Sequence, residues 1–412
     1  MLSKEENELL TQVGPETPMG RLFRRYWIPA LLSEEIPGPD CPPVKVRLLG
    51  EDLVAFRDTK SRIGLLDEHC SHRGTSLFYG RNEECGLRCI YHGWKYDVEG
   101  NVLETPAESP ESQLKRKVRH KAYPCVEAGG MIFTYMGPKE KMPLFPKYPW
   151  LQLPKDQIYI AKSLLECNYL QGLEGDCDSS HLNFLHRAFK PDSRREFLNF
   201  ADPAPDFEID EMPFGLRSTA IRRAGPNASY VRISHFVMPF IGCVPVGRVI
   251  DGKLDGFKAV YQVPSDNTDT WRYDFFFKWA RPFTKEDSSK RDFVGPDYRK
   301  LRNLRNNYLQ DRGAQKRVNF TGIEEFLNQD ACATESMGPI VDRTKEHLGV
   351  SDSYLIAVRR FLLRAVMDHE AGKEPPGLIY DEAQNDFSHL RCEIFQPPSD
   401  VSWKTLLKDL GQ

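Results

Sequence analysis

The chain has 412 residues, of which 40% are hydrophobic and 28% are charged, a composition that is typical of folded globular proteins and excludes wholesale disorder. Its 56 Lys and Arg residues are balanced by 59 Asp and Glu residues, and the net charge of −3 argues against a dedicated nucleic-acid-binding protein. No apolar run approaches the roughly 18 residues of a spanning helix, and the mean hydropathy is −0.52, which argues against an integral membrane protein.

The N-terminal part of the chain predicts a leading segment followed by a small β domain. Residues 1–10 are acidic and lack the basic start and apolar core of a signal peptide, so we expect a cytoplasmic protein whose ten cysteines are reduced. Residues 1–43 are expected to pack on the body of the protein, and they end in a proline-rich stretch. Between residues 44 and 140, short β-like runs alternate with turns, which predicts an all-β domain.

From residue 141 onward the sequence predicts a larger domain that mixes helices and strands. Five prolines between residues 138 and 154 indicate a linker in front of it. Helix-spaced apolar residues predict helices over 164–186, 297–309, 322–330 and 353–370. Strand-like runs predict an antiparallel sheet over 217–223, 229–237, 257–263 and 271–279. The predicted fold class is therefore α+β, a small all-β domain followed by a larger domain, 141–412, with an antiparallel sheet covered by helices.

Two short loops of the β domain each contain one cysteine and one histidine. The first reads Cys70-Ser-His72-Arg-Gly, and after sixteen intervening residues the second reads Cys89-Ile-Tyr-His92-Gly-Trp. Two thiolates and two imidazoles can form a tetrahedral zinc site or hold a two-iron cluster with both histidines on one iron. The usual zinc finger places its cysteines before its histidines, whereas each loop here is mixed. This favours the cluster over zinc and over four unrelated turn residues.

The pattern C-x-H…C-x2-H resembles that of the Rieske [2Fe–2S] family. The flanking residues His-Arg-Gly at 72–74 and Tyr-His-Gly-Trp-Lys-Tyr at 91–96 strengthen the resemblance. Ser71 departs from it, because many members have proline at this position. The resemblance implies that Cys70, His72, Cys89 and His92 bind a Rieske cluster.

A second candidate metal site lies near the start of the larger domain. Asp178, His181 and His186 have the spacing D-x2-H-x4-H. Asp178 and His181 share one face of any helix there, but His181 and His186 are about 140° apart on an ideal helix, so both reach one metal only across a distortion or a helix end. Two histidines and a carboxylate are the ligands of non-heme Fe(II) oxygenases. Taken alone, the two histidines are also compatible with core or surface positions.

With both patterns present, the whole chain resembles the Rieske non-heme iron aromatic-ring oxygenases, within them the phthalate dioxygenase-like and aromatic O-demethylase-like oxygenase subunits. The resemblance implies that His181 and His186 bind a mononuclear iron. It also implies a third ligand, Asp330, from a C-terminal helix. The competing carboxylates in that segment are those of Glu324, Glu325 and Glu335.

The same resemblance implies a homotrimer in which Asp178 connects the two metal sites. In the family, the equivalent carboxylate bridges an iron-ligating histidine and a cluster-ligating histidine of the neighbouring subunit. Here it would join His181 to His92 across the interface. An N-cap or an ordinary surface aspartate is the alternative interpretation of Asp178.

The resemblance implies an enzyme, the oxygenase component of a system that consumes O2 and electrons passed from NAD(P)H by a separate reductase. The expected reaction is cis-dihydroxylation of a phthalate- or benzoate-type aromatic acid. Monooxygenation that removes an O-methyl group is the alternative. A protein that only carries electrons on a Rieske cluster is the alternative from another functional class. Such a carrier does not need the 260 residues after the linker, which argues against it.

The strand predicted over 229–237 offers candidates for binding a substrate carboxylate. An arginine would hold such a carboxylate by a bidentate pair. Arg232 lies on one face of this strand and His235 on the other, so both are candidate substrate contacts. A solvent-facing arginine and a satisfied core histidine are the alternative interpretations. Arg222 and Arg223 are equally ambiguous. We expect no nucleic-acid or membrane partner.

Overall fold

The computed structural model describes residues 1–189, 202–247, 249–250, 252–284 and 293–409. The chain begins with two short helices, α1 (Lys4–Thr11) and α2 (Pro18–Phe23). A capping box between Ser3 and Glu6 begins α1, and Thr17 with Pro18 begins α2. Apolar residues of both helices are buried in the large core together with residues of the C-terminal half. The N-terminal segment therefore packs on the body.

The N-terminal β domain is built from two four-stranded antiparallel sheets. The first has the order β2-β3-β4-β9, and its strands are β2 (Val44–Leu48), β3 (Glu51–Arg57), β4 (Ile63–Asp67) and β9 (Ala122–Tyr123). The second has the order β5-β6-β7-β8, and its strands are β5 (Arg81–Glu83), β6 (Gly86–Arg88), β7 (Lys95–Tyr96) and β8 (Val102–Glu104). A separate small core takes residues from both sheets and includes Cys70 and Cys89. The all-β prediction for this region is confirmed.

A three-stranded sheet connects this domain to the rest of the protein. Its order is β1-β11-β10, with β1 (Trp27–Leu32), β10 (Cys125–Ala128) and β11 (Met131–Tyr135). The proline-rich stretch that follows is not an extended linker, because Tyr148 and Trp150 are buried in the large core. The domain boundaries at residues 43 and 140 stay predictions.

The larger domain contains an eight-stranded antiparallel sheet. Along it run β12 (Ile158–Leu165), β20 (Thr270–Phe277), β19 (Lys258–Pro264), β16 (Ile241–Val244), β15 (Ser229–Val237), β14 (Gly215–Arg223) and β13 (Asp206–Met212), and β21 (Glu393–Phe395) pairs with β15. A small hairpin is formed by β17 (Val249–Ile250) and β18 (Lys253–Leu254). The four strands predicted in this region are confirmed, and because successive residues along them are buried, both faces of the sheet are largely covered.

In the described ranges the remaining helices are α3 (Leu114–Lys117), α4 (Tyr169–Cys177), α5 (Arg312–Arg317), α6 (Phe326–Glu335), α7 (Ser353–Glu370) and α8 (Trp403–Asp409). The apolar face of α7 is buried in the large core, and the prediction for 353–370 is confirmed. No helix in the described ranges is long and apolar enough to cross a membrane.

Three helix predictions are wrong at their ends or throughout. The helix predicted over 164–186 is α4 alone, because the first residues belong to β12, Asn168 caps the helix and the chain leaves it at Asp178. The segment 297–309 holds only a short 3-10 stretch, since Tyr298, Asn307 and Tyr308 have positive φ angles that a right-handed helix cannot contain. Likewise, Glu325 at φ 63° delays the helix predicted over 322–330 until residue 326.

Candidate metal centres and substrate cavity

The two loops of the β domain have the same local architecture. Cys70 and Cys89 are each followed four residues later by a glycine of positive φ, Gly74 or Gly93. The N–H of Gly74 donates to the Cys70 carbonyl at 2.8 Å, and the N–H of Gly93 donates to the Cys89 carbonyl at 3.1 Å. Each loop thus closes on itself, a conformation that glycine adopts at low cost.

The two cysteine sulfurs of the loops are buried, whereas the two imidazoles are only half-buried. Cys70 and Cys89 are 3% exposed in the small core, where the Cys70 Sγ lies 3.0 Å from the Tyr96 hydroxyl. Burial, together with the neighbouring Cys70 thiol, raises the pKa of Cys89. His72 and His92 are half-buried, with ring centroids 4.6 Å apart. A sulfur pair beside an imidazole pair is the donor set of a two-iron cluster, and bound iron offsets the cost of two buried thiolates.

A histidine outside the four-residue pattern braces the first loop. His120 is buried, its Nδ1 lies 2.5 Å from the Ser71 hydroxyl, and its Nε2 lies 2.9 Å from the Asp67 carbonyl. Its ring also packs on Tyr96, with centroids 4.5 Å apart. Ser71, where the loop departs from proline, therefore has a hydrogen-bonding role that proline cannot provide.

His181, His186 and Asp330 are brought together in the larger domain. One donor atom from each lies within 4.8 Å of the others. The Asp330 Oδ1 is 2.9 Å from the His186 Nε2 and 3.9 Å from the His181 Nε2. The end of α4 allows this, because the chain continues into a 3-10 turn at His181–Asn183 instead of a helix. Two imidazole nitrogens and one carboxylate on a common point suit a divalent iron.

The orientation of His186 is fixed from behind. Its Nδ1 lies 2.8 Å from the Gln329 Oε1, and the Gln329 Nε2 donates to the Ile323 carbonyl at 2.8 Å. Its ring stacks on Phe326. Nδ1 therefore carries the proton, and Nε2 presents its lone pair toward Asp330. This Nε2 is buried, and its 2.9 Å contact with the Asp330 Oδ1 lacks the geometry of a hydrogen bond, as expected where a metal would lie between two ligands.

Asp178 lies beside this site and orients the other histidine. Its Oδ2 is 3.4 Å from the His181 Nδ1, and its Oδ1 accepts from the Ser180 N–H at 2.6 Å. Burial alone would raise the pKa of Asp178, but the contact with His181 outweighs burial and lowers it. Burial would correspondingly lower the pKa of His181, but Asp178 raises it. The pair favours a proton on Nδ1 and leaves Nε2 for a metal.

The competing acids of the C-terminal segment have other partners. Glu335 is buried, where Lys300 approaches it at 3.0 Å and the Glu166 N–H donates to it at 3.0 Å. Glu324 pairs with Arg302 at the surface. Glu325 precedes α6 in a left-handed conformation. Only Asp330 meets the histidines among the described carboxylates of this segment. Burial would raise the pKa of Asp330, but the two histidines lower it well below its usual range.

A cavity opens beside His181 and Asp330. Its polar lining includes two cationic side chains, Arg232 of β15 and Lys258 of β19, and the hydroxyls of Ser218 and Ser234. Its other walls are provided mostly by Val244, Val246, Phe326 and Tyr354. Lys258 pairs with the buried Asp274 at 3.0 Å, and one Arg232 N–H donates to the Pro245 carbonyl at 3.0 Å. The same lining contains the carboxylates of Asp176, Asp178 and Asp330, so the cavity combines apolar walls with side chains of both charges.

His235 does not line this cavity. Alternation along β15 turns Arg232 and Ser234 toward it, and His235 lies on the opposite face of the sheet. Its Nε2 lies 2.9 Å from the Arg391 carbonyl, and burial lowers its pKa to about 4. The prediction of His235 as a substrate contact is therefore wrong, and the residue is a neutral core histidine. Arg222 donates to the Ser179 carbonyl at 2.7 Å, and Arg223 is exposed beside Asp202.

Two residues of the site escaped sequence reasoning. Gln329 directly precedes Asp330, and this position beside a candidate ligand could have identified it. Nothing in the sequence indicates Lys258, because β19 comes to line the cavity only by pairing with β16.

Comparison with known proteins matches both parts of the chain. Residues 26–125 match the family model of the Rieske [2Fe-2S] domain, and residues 134–396 match that of the LigXa C-terminal domain like family. The phthalate 4,5-dioxygenase oxygenase subunit of Pseudomonas putida is 42% identical over 398 residues, 92% of this chain and 89% of that protein. The 5,5'-dehydrodivanillate O-demethylase oxygenase subunit of a Sphingobium species is 33% identical over 93% of this chain and 85% of that protein.

Solved structures share the fold. That of NdmA from Pseudomonas putida CBB5 with caffeine has a TM-score of 0.62 and 20% identity, and the match covers 89% of this chain and 94% of that chain. At this identity, the similarity establishes the fold alone.

Proposed function

The chain belongs to the Rieske non-heme iron oxygenases, and we propose that within this family it hydroxylates an aromatic acid. It is an oxygenase subunit, an oxidoreductase that uses O2, a Rieske [2Fe–2S] cluster, a mononuclear non-heme iron and electrons from a separate reductase. The remaining questions are which residues serve each cofactor, what substrate is taken and how the subunits assemble.

We assign the cluster to Cys70, Cys89, His72 and His92, and the mononuclear iron to His181, His186 and Asp330. The sulfur and imidazole pairs of the first set, and the convergence of His181, His186 and Asp330 in the second, support the assignment. When bound, the cluster provides single electrons and the iron provides the place where O2 meets the substrate. The protein contributes orientation. Gln329 and Asp178 each hold a proton on the Nδ1 of one histidine, so that both Nε2 atoms face the metal.

A buried arginine at the cavity, Arg232, is the observation that carries the proposed substrate class. Arg232 is buried, reaches the cavity and is steadied by the Pro245 carbonyl, so its guanidinium can form a charge-assisted pair with a carboxylate. Lys258 also lines the cavity, where it pairs with the buried Asp274. The apolar side chains of the lining suit an aromatic ring. We therefore propose an aromatic acid, with hydroxylation of the ring as the reaction, as in the phthalate 4,5-dioxygenase subunit.

O-demethylation is the second candidate reaction. It uses the same metal ligands, and the similarity to the 5,5'-dehydrodivanillate O-demethylase oxygenase subunit supports it. Substrate shape, rather than the ligand set, separates the two outcomes. A cytoplasmic location is also part of the proposal.

We further propose a homotrimer in which the cluster of one subunit faces the iron of the next. Two exposed apolar surfaces support it. Ile90 and Tyr91, which are 58% and 55% exposed, adjoin His92. Phe184, which is 50% exposed, adjoins the iron site and packs against Phe320. In this arrangement Asp178 would contact His181 of its own chain and His92 of the neighbouring one.

Substrate class is tested by a single turnover of chemically reduced protein with ¹⁸O2. Phthalate, benzoate and methoxybenzoates are compared with their methyl esters. We expect ¹⁸O in a hydroxylated acid or, for a methoxylated acid, loss of the methyl group, and no turnover of the esters. Arg232→Ala should weaken acid binding at least about tenfold, the value of a lost charged hydrogen bond, with Arg232→Lys intermediate. Equal turnover of acids and esters by the wild type and Arg232→Ala would contradict the proposal.

The subunit arrangement is tested with Asp178→Asn. This nearly isosteric change should leave both metals bound and cluster reduction normal, but it should slow cluster oxidation by O2 and substrate because the charge between the histidines is lost. Trimers are then mixed from Asp178→Asn chains and chains lacking the cluster, His72→Ala. Recovery of partial activity supports transfer between neighbours. Activity no higher than the average of the two inactive parents would show that each chain reduces its own iron.

A further inference from the structure

A strongly basic segment lies on the surface next to the first cluster loop. Residues 114–121 read Leu-Lys-Arg-Lys-Val-Arg-His-Lys, in a chain whose net charge is −3. Lys115, Arg116, Lys117 and Arg119 are all exposed, and none forms an ion pair within the described ranges. We call these four residues the basic patch. Lys121, by contrast, pairs with Glu51.

The patch is anchored to the cluster loop through His120. This residue follows Arg119 directly and turns into the protein, where it contacts the hydroxyl of Ser71 between Cys70 and His72. Its ring packs on Tyr96, whose hydroxyl lies 3.0 Å from the Cys70 Sγ. The exposed charges are thus only two contacts away from a cluster cysteine, although His120 itself is buried.

This approach differs from the one that the neighbouring subunit would use. The imidazole edge of the cluster site, His72 and His92, is bordered by the exposed Tyr91 and Ile90. That border is mainly apolar and carries one cation, Arg73, over the Tyr91 ring, whereas the patch carries four. An electron donor on the patch would reach the sulfur side of the cluster and would leave the imidazole edge for the next subunit.

We infer that the basic patch is the docking surface of the electron donor, and that this donor is an acidic protein carrying a one-electron redox centre. The inference rests on the proposed assignment of the cluster to Cys70, His72, Cys89 and His92. Charge complementarity of this kind raises association rates, which become dependent on ionic strength. Arg119 donates a hydrogen bond to the Glu99 carbonyl, but none of the four cations forms an ion pair in the described ranges, and like charges this close repel one another in the absence of an anionic partner.

The inference is tested by stopped-flow reduction of the cluster in the complete, metal-loaded protein. The donors are a photoreduced acidic plant-type [2Fe–2S] ferredoxin and reduced methyl viologen, a small cation. The variant Lys115→Glu/Arg116→Glu/Lys117→Glu reverses the patch. The matched control, Lys139→Glu/Lys141→Glu/Lys155→Glu, reverses three exposed lysines elsewhere with the same change of net charge. A milder variant, Lys115→Gln/Arg116→Gln/Lys117→Gln, removes the patch charge without adding acid.

We expect the ferredoxin rate of the wild type to fall as salt rises, and reversal of the patch to lower it about 10- to 100-fold at low ionic strength, with the neutral variant between. Methyl viologen should reduce every variant as fast as the wild type, and the control should lose less than about threefold. Binding of labelled ferredoxin, followed by fluorescence anisotropy, should weaken in the same order.

Three results would overturn the inference. Equal slowing of the patch variant and the control would show an effect of overall charge. Slowing of the methyl viologen rate in both patch variants would show that the segment serves the cluster itself. Unchanged ferredoxin rates with loss of binding to phosphatidylserine vesicles would assign the patch to a membrane surface. Failure of the proposed function is separate, since it would appear as absence of hydroxylation by protein that methyl viologen reduces normally.

Discussion

The four candidate cluster residues lie between positions 70 and 92 on two loops that close on themselves, whereas the mononuclear site joins residues 181 and 186 to residue 330. The first arrangement depends on two local turns and their glycines. The second depends on how α4 ends, where α6 begins and how the two helices pack. The comparison shows that the spacing of residues along the sequence is enough to identify the first centre. The residues of the second centre come together only when the domain has folded.

The two centres also differ in exposure. At the cluster site the thiols are buried and the imidazoles are half-buried at an edge, which suits exchange of electrons with another protein. At the mononuclear site His186 is fully buried, Asp330 is 17% exposed at its side chain, and a cavity stands beside them. Such a site suits chemistry on a small molecule away from bulk water.

The largest expected effect comes from breaking the local centre. Cys89→Ser should abolish the visible spectrum of the cluster and all product formation with the reductase, because a cluster ligand is lost. The second centre should still take iron, so the iron content should fall from about three to about one per chain. Cys85→Ser, a half-buried cysteine of the same domain, is the control and should keep all three. Loss of the mononuclear iron with an intact cluster spectrum would contradict the separation of the two centres.

Loss of a ligand at the mononuclear site should have the opposite effect on the two metal centres. Asp330→Ala should keep the cluster spectrum and lose the mononuclear iron and product formation, because one anionic ligand disappears. Glu335→Gln is the control on the same helix and should retain activity. Glu335→Ala should instead lower the free energy of unfolding by about 3 kcal/mol, because the buried Lys300 loses its partner, while folded molecules still bind iron. Retention of iron by Asp330→Ala with its loss in Glu335→Gln would reverse the assignment.

The smallest expected effect comes from removing the hydrogen bond by which Gln329 orients His186. Gln329→Leu should weaken iron binding about 10- to 100-fold, because the His186 Nδ1–H loses its acceptor and the ring its orientation. Gln329→Glu still accepts from this N–H and should bind iron nearly as well as the wild type. Competition with an iron chelator measures both affinities, and the cluster spectrum checks that the β domain is unchanged. Equal affinities of the wild type and Gln329→Leu would show that Gln329 does not orient the ligand.

Much of the fold could be predicted because its signals are local. The predicted strands of the large sheet are β-rich runs separated by turn residues, and helix α7 repeats its apolar residues over 18 positions. The errors fall where a local pattern meets a tertiary constraint. Leu164 and Leu165 pair with β20 instead of entering α4, and at 298 and 307–308 positive φ angles interrupt an otherwise helical pattern.

By itself the sequence determined the cluster loops, since two thiols, two imidazoles and two turn glycines at fixed spacing already describe their geometry. It also identified His181 and His186 as candidate ligands, and it required a distortion or a helix end between these two residues if both bind one metal. Only the tertiary structure decided which acid joins them. Asp330 and Glu335 lie on one helix, and packing turns the first toward the histidines and the second toward Lys300. The same holds for Arg232 and His235 on β15. Which face of this strand meets the cavity depends on the packing of the whole sheet and not on the strand's own sequence.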